Sequence, residues 1–375
     1  MNTDFDIEYA LVLTGWVVAI VLGIVMLVIN APRSPHRSYY VKGKNTCALS
    51  FLIFGAEMLF QWLIRFYLDV HDAVLSVSVY LFAFAAATLL FATGFCEMLA
   101  PRVMDRRQRR IALLTLAVYM AFLLVNWLFV NAKLKVYGVL SASAMLFLLS
   151  LISIYKCVKI YRIAINNLRT YYSDFVEDLM YWMPGVGVGI TLFLISAPIT
   201  CFCSKIVGIY QLALGIIMFI YTFVSIMNFS FRYSAVAPAL HHDVETDDAV
   251  VDSRAGNHTT SLSASLQEVM QDKERRWREN GGYRAPGLTI EHAARDMGTN
   301  RSYLSRYLNE VKNVTFYEWV SLMRIQEAQQ LMAASGTSMT MEQIAARVGF
   351  SSYSTFSSTF KKIVGISPNR WRNSQ

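Results

Sequence analysis

The chain has 375 residues, 55 % of them hydrophobic and only 16 % charged, with a formal net charge of +8. Soluble proteins average about 25 % charged residues, so this composition excludes a disordered chain and disfavours a wholly soluble one. Charge is segregated along the sequence: net +6 over residues 1–228, −3 over 229–262 and +5 over 263–375.

The first block predicts a polytopic membrane helix bundle. Seven apolar runs are long enough to cross the hydrocarbon core, which takes about 20 helical residues. They are Leu11–Ile29, Cys47–Leu68, Ala73–Phe95, Ile111–Val130, Val136–Tyr155, Met183–Phe202 and Ile206–Met227. Alternate loops carry thirteen Lys/Arg against three in the others. The positive-inside rule then sets the basic loops (30–46, 100–110 and 156–182) in the cytoplasm and the N-terminus outside. After seven crossings the C-terminal part lies inside, as expected for a bacterial inner-membrane protein. The first run lacks a basic lead and a small-residue cleavage site, so it reads as an uncleaved anchor.

Glu57, Gln61 and Arg65 recur every four residues on the second run and therefore share one helix face. Charged groups inside a span are functional candidates, and these three are the candidate signal-binding residues. The alternative for Arg65 is a headgroup contact by snorkelling, with Asp69 one turn away. Gly185 and Gly189 have the spacing of close helix packing. The five cysteines show no metal spacing, and the hydrolase and zinc-protease motifs are missing. No enzyme activity, cofactor or metal site is expected.

Residues 229–262 carry Asp243, Glu245, Asp247, Asp248 and Asp252 and then a Ser/Thr-rich stretch without apolar periodicity. They read as a flexible tether. A chain of this kind reaches on the order of 30 Å.

From residue 263 onward the text is soluble and helical. Ser265–Glu268, Thr315–Glu318 and Thr340–Gln343 match the capping box that opens helices. An internal near-repeat follows at a period of 51 to 52 residues: Thr289, Ala294 and Gly298 are echoed by Thr340, Ala345 and Gly349. In each copy the Ala admits a close helix crossing and the Gly supplies the turn into a second helix. Leu304 and Leu308 are expected inward in the first copy, and Phe356, Phe360 and Ile363 in the second. Tyr303, Tyr307 and Trp319 are expected in the core. Two such helix pairs in register predict two helix-turn-helix units, whose second helices enter the DNA major groove.

The segment Phe360-Lys-Lys-Ile-Val-Gly365-Ile-Ser367-Pro368-Asn-Arg-Trp371-Arg372, preceded by Gly349-Phe350-Ser351, resembles the C-terminal signature of the AraC/XylS family of transcription regulators. Tyr317, Arg324, Ala328 and Leu331 resemble that family's long helix between the two units. The resemblance covers roughly residues 265–373. It implies an all-helical domain of seven helices with two recognition helices on successive major grooves of double-stranded promoter DNA. By position the first presents Arg301, Ser302, Ser305 and Arg306, and the second presents Ser352, Tyr353, Ser354 and Ser357. Arg306 is the candidate for a bidentate guanine contact, its alternative being an intradomain pair with Glu310. Lys361, Lys362 and Arg372 are the candidate phosphate contacts. Ser358 stands where many members carry a long polar residue.

The expected whole is all-α: a seven-span bundle (1–228) in the lipid bilayer, a linker (229–262) and a DNA-binding domain (263–375). A small-molecule or protein signal at the membrane would change how the domains, paired in a homodimer, meet a promoter. Two rivals stand beside this: a transporter or membrane enzyme that regulates itself, and a simple tether controlled by a partner protein docking on residues 156–182.

Overall fold

The computed structural model describes residues 3–30, 36–64, 73–174, 180, 182–200, 205–251, 264–334 and 339–374. Among them the chain is all-α apart from one isolated bridge. It divides into two compact units. The first comprises residues 1–164 and 179–244. The second comprises residues 165–178 and 245–375.

The first unit contains α1 (Thr3–Val28), α2 (Arg37–Trp62), α3 (Ala73–Leu99), α4 (Arg106–Phe129), most of α5 (Ala132–Tyr171), α6 (Trp182–Thr200) and most of α7 (Lys205–Val251). Among the described residues five stretches, not seven, are long and apolar enough to cross a membrane: Ala10–Val28, Ala73–Leu99, Arg106–Phe129, Leu134–Tyr171 and Val207–Leu240. They suggest a multi-pass membrane protein. The second expected run, Cys47–Leu68, is not among them: residues 65–68 lie outside the described residues, and the part in α2 carries Glu57 and Gln61. The sixth, Met183–Phe202, ends outside the described residues. α7 runs through Val251, so the stretch expected to open the tether is helical. The rest of the tether lies outside the described residues.

α2 packs between α1 and α3, and small residues set the distance. A Cβ on Gly43 would meet the Met98 backbone nitrogen at 3.0 Å; one on Gly94 would meet that of Cys47 at 2.9 Å. At one end of this trio Glu97 is buried and ion-paired with Arg109 at 3.1 Å and Lys42 at 3.5 Å, and Thr46 donates to it at 3.2 Å. A buried carboxylate requires such partners. An aromatic cluster of Phe54, Tyr80, Phe84, Phe193 and Phe219 fills the bundle centre.

The second unit holds α8 (Ala264–Glu279), α9 (Ile290–Asp296), α10 (Arg301–Arg306), α11 (Phe316–Ala334), α12 (Met341–Arg347), α13 (Tyr353–Val364) and α14 (Pro368–Asn373). Side chains start these helices where the sequence places them. Thr289 and Asn300 accept from the amides of His292 and Tyr303. Thr315 with Glu318, and Thr340 with Gln343, close reciprocal boxes. Ser265 is not an N-cap, because α8 already begins at Ala264.

α11 joins the two helix pairs. Its Ile325, Ala328 and Met332 form one core with Ile344, Ala345, Phe350, Phe356 and Phe360 of the second pair. Ile363 and Tyr303, expected inside, are 40 % and 43 % exposed. Tyr307 and Leu308 are both buried, at the start of a π-helical turn over Tyr307–Lys312.

Candidate nucleic-acid interface

Each recognition helix follows a glycine in a left-handed conformation. Gly298 (φ 62°) turns α9 into α10, and Gly349 (φ 97°) turns α12 into α13. Ala293, Ala294 and Ala345 are buried at the crossings, where a larger side chain would force the helices apart. The repeat in the sequence thus becomes two helix-turn-helix units.

On α10, Ser302 is exposed and Ser305 half-buried, the latter accepting from Asn309 at 3.5 Å. Arg306 is half-exposed and pairs with Glu310 one turn on, Nε to Oε1 at 3.1 Å. An exposed pair of this kind contributes at most about 1 kcal/mol, so it exchanges readily for a base edge. Arg301 is held more tightly. It pairs with Glu291 at 3.3 Å, lies 4.8 Å from the Tyr171 ring centroid, and its side chain is only 20 % exposed. Burial pulls its guanidinium down to about 10, partly offset by Tyr171.

On α13, Ser354 is exposed and Ser357 half-buried. Ser352 is the N-cap, accepting from the Thr355 amide at 3.2 Å, so its hydroxyl first serves the helix. Tyr353 packs against the second core, and its hydroxyl accepts from Asn369 at 3.4 Å. Lys361 and Lys362 are exposed in the last turn, with Lys362 5.8 Å from the Tyr317 ring centroid. Arg372 donates to the Met339 carbonyl at 3.2 Å, which ties α14 to the start of the second pair.

Of the candidate signal-binding residues, Glu57 is buried with one carboxylate oxygen unpartnered, and Gln61 donates to the Ser76 carbonyl at 2.8 Å. Arg65 lies outside the described residues.

The centre of the second unit is a residue whose partners the sequence reading missed. Arg324 of α11 is fully buried. Its Nε donates to the Tyr283 carbonyl and Nη2 to the Ala285 carbonyl, both at 2.8 Å; Nη2 also reaches Ser173 Oγ at 3.3 Å. Nη1 pairs with Asp174 at 2.6 Å. The other Asp174 oxygen accepts from the Gly287 amide at 2.8 Å, and the Ser173 amide donates to the Leu288 carbonyl at 2.9 Å. Tyr172 bridges Thr289, the N-cap of α9. Residues 171–174, the last residue of α5 and the three after it, therefore complete the first helix-turn-helix unit. The sequence signal for this was Asp174, which with Glu177 and Asp178 interrupts the basic 156–182 loop.

A further hub is Glu274 of α8, which accepts from Tyr307 at 2.6 Å and Trp319 at 3.1 Å and pairs with Lys312 at 3.0 Å. Burial would raise its carboxyl, but these donors outweigh that and hold it below the ordinary value.

Residues 293–374 match a family model described as a helix-turn-helix domain. Over 85 residues, 23 % of this chain, the sequence is 35 % identical to the melibiose operon regulatory protein of Escherichia coli strain K12, of which it spans only 28 %. It is 31 % identical over 97 residues to the probable transcription factor PqrA of Proteus vulgaris, covering 26 % of this chain and 78 % of that one. Among solved structures, the C-terminal domain of AraT, a response regulator from Geobacillus stearothermophilus, is 27 % identical. That alignment covers 31 % of this chain and 89 % of the other, with a TM-score of 0.26. The two curated relatives are an operon regulatory protein and a probable transcription factor, and the family model matches only the C-terminal part. Through that part, with its paired helix-turn-helix units, the chain belongs to the AraC family of transcription regulators.

Proposed function

We propose that the chain is a membrane-embedded, sequence-specific transcription regulator whose helical bundle controls promoter binding by its C-terminal unit. The observation that carries the coupling is the anchoring of residues 171–174 in the first helix-turn-helix unit through Asp174 and Arg324. These residues end and continue α5, a candidate span, so a change in the bundle has a covalent route to the recognition helix. With the N-terminus outside, an odd number of crossings, five or seven, leaves the DNA-binding unit in the cytoplasm.

The mechanism is a shift between two populations. In one, Tyr171 and Glu291 occupy Arg301; in the other, Arg301 is free to join Arg306 at the major groove. Arg306 reads guanine, the serines of both helices supply further polar contacts, and Lys361 and Lys362 bind phosphate. Arg372 serves the fold. The tether reading, with a partner docked on residues 156–182, is less well supported, because Asp174 is already committed to Arg324.

Promoter binding by the full-length protein in detergent tests the DNA assignment. Arg306→Ala is expected to lower cognate affinity by about 1–3 kcal/mol with little effect on random DNA. Lys362→Ala should weaken all sequences alike and reduce the salt slope by about one. Equal loss on cognate and random DNA for Arg306→Ala would remove it from base reading. A crosslinking profile of the full-length protein without discrete genomic sites would refute the function as a whole.

A further inference from the structure

The first unit encloses a cavity of about 410 Å³ between α2, α3, α5, α6 and α7. This lies within the roughly 300–1,000 Å³ of small-molecule sites. Its walls are apolar, with Phe51, Phe54, Phe91, Phe95, Phe193 and Phe219 among them, and no charged side chain of the described residues lines it. Val188 and Leu192 of α6 and Val158 of α5 line it and are also exposed on the bundle surface, so its mouth opens laterally between these helices. On a membrane-spanning bundle that mouth faces hydrocarbon. A Cβ on Gly187 would meet nothing within 4 Å, so open space begins at the α6 backbone.

One polar group in this wall has no fold role. Thr88 of α3 is 5 % exposed, and its hydroxyl is buried without a partner. Ser50, by contrast, spends its hydroxyl on the Cys47 carbonyl at 2.6 Å. A buried hydroxyl left unmatched is destabilising unless something supplies the missing bond.

We propose that this cavity binds an uncharged lipophilic small molecule bearing one hydrogen-bonding group, which enters from the bilayer and bonds to Thr88. A charged ligand would lose its hydration without an ion partner. The acyl chain of a bulk phospholipid would fill the volume but leave Thr88 unmatched. The assignment rests on the coupling reading above and gives it a signal class. Ser153, Cys157 and Tyr161 of the cavity wall recur every four residues on α5, the helix that leads into the Tyr171–Asp174 anchor.

The test uses the full-length protein in phosphatidylethanolamine/phosphatidylglycerol nanodiscs and a diazirine-bearing dodecanol as photoprobe. Labelling is expected to saturate, to map to peptides of α3, α5 and α6, and to be competed by dodecanol far better than by dodecane. Gly187→Leu, which fills the open space, should abolish saturable labelling. The near-isosteric Thr88→Val, which carries little folding risk, should weaken dodecanol about threefold to tenfold. Labelling that is unsaturable or unchanged in both variants overturns the site. Equal competition by dodecane, with no effect of Thr88→Val, overturns the hydrogen-bonded ligand in favour of an acyl chain. Promoter affinity is measured in parallel with and without dodecanol: saturable labelling with unaltered affinity keeps the site and refutes the coupling.

Discussion

Gly298 and Gly349 occupy equivalent places in the repeat, yet alanine at the two should have very different costs. Both have positive φ, 62° and 97°. A non-glycine residue in the left-handed region costs about 1–2 kcal/mol. At Gly298 a Cβ would meet only Lys273 Nζ, at 3.9 Å, so Gly298→Ala should cost about that much. At Gly349 the Cβ would collide with the Arg284 carbonyl oxygen and lie 2.7 Å from its carbon and 2.9 Å from its Cα. Carbon atoms in contact prefer about 3.5–4.0 Å, so the Arg284 peptide must withdraw by about 1 Å. The carbonyls of Tyr283 and Ala285 flank that peptide, and both hold Arg324 at 2.8 Å. Weakening one bond to a buried charged group adds about 1.5–3 kcal/mol. Gly349→Ala should therefore lose about 3–5 kcal/mol, a large share of a domain's typical 5–15 kcal/mol. The assay is urea unfolding of the full-length protein in detergent, followed by tryptophan fluorescence. With Trp16, Trp62, Trp127 and Trp182 changed to Phe, the signal comes from Trp277, Trp319 and Trp371. Equal losses in the two variants would refute the argument that the Arg284 strap, and not the turn alone, selects glycine.

Asp174→Ala leaves the Arg324 charge buried and unpaired. With Asp174 15 % exposed, the expected loss in the same unfolding assay is about 3 kcal/mol, at the low end of the range for broken buried pairs, and Asp174→Asn should lose less. A loss below about 0.5 kcal/mol for Asp174→Ala would show that water replaces the carboxylate. Tyr171→Ala removes the ring over Arg301, a contact of about 0.5–2 kcal/mol. Promoter affinity in gel-shift titrations should rise, and an unchanged or weakened affinity would refute competition between Tyr171 and DNA. Glu274 is held below its ordinary value of 4.5 in the folded state, so its stabilisation is complete above that pH and is lost as pH falls through the lowered value. Glu274→Gln should lower stability at neutral pH by about 1–2 kcal/mol and flatten the decline below about pH 4.5; an unaltered acid profile would place that decline elsewhere.

The parts of this protein legible in one dimension are those governed by local rules. The capping threonines, the turn glycines and the apolar runs each act within a few residues of themselves, and the AraC signature is a contiguous string. Local rules failed where neighbours compete. Ile363 was assigned inward by helical spacing, but Phe356 and Phe360 already fill the core, and it stays outside. The stretch Tyr307–Lys312 widens to a π-helical turn, which a fixed 3.6-residue period cannot describe. Glu57 was singled out as a charge within a span. The lipophilic cavity is lined by residues of five helices that are unremarkable one by one.

The sequence by itself determined that the first part is helical, apolar and basic and that the end is a helical domain built for DNA, but not that α7 runs on through Val251. It also determined where the recognition helices begin. Tertiary structure alone decided which charges are available for function. Arg301 and Arg324 look equally free in the text, but one is held by Tyr171 and Glu291, and the other is buried on Asp174, 150 residues away. Burying a guanidinium requires a carboxylate and carbonyls from every side, and that set of partners is assembled only when distant segments fold together.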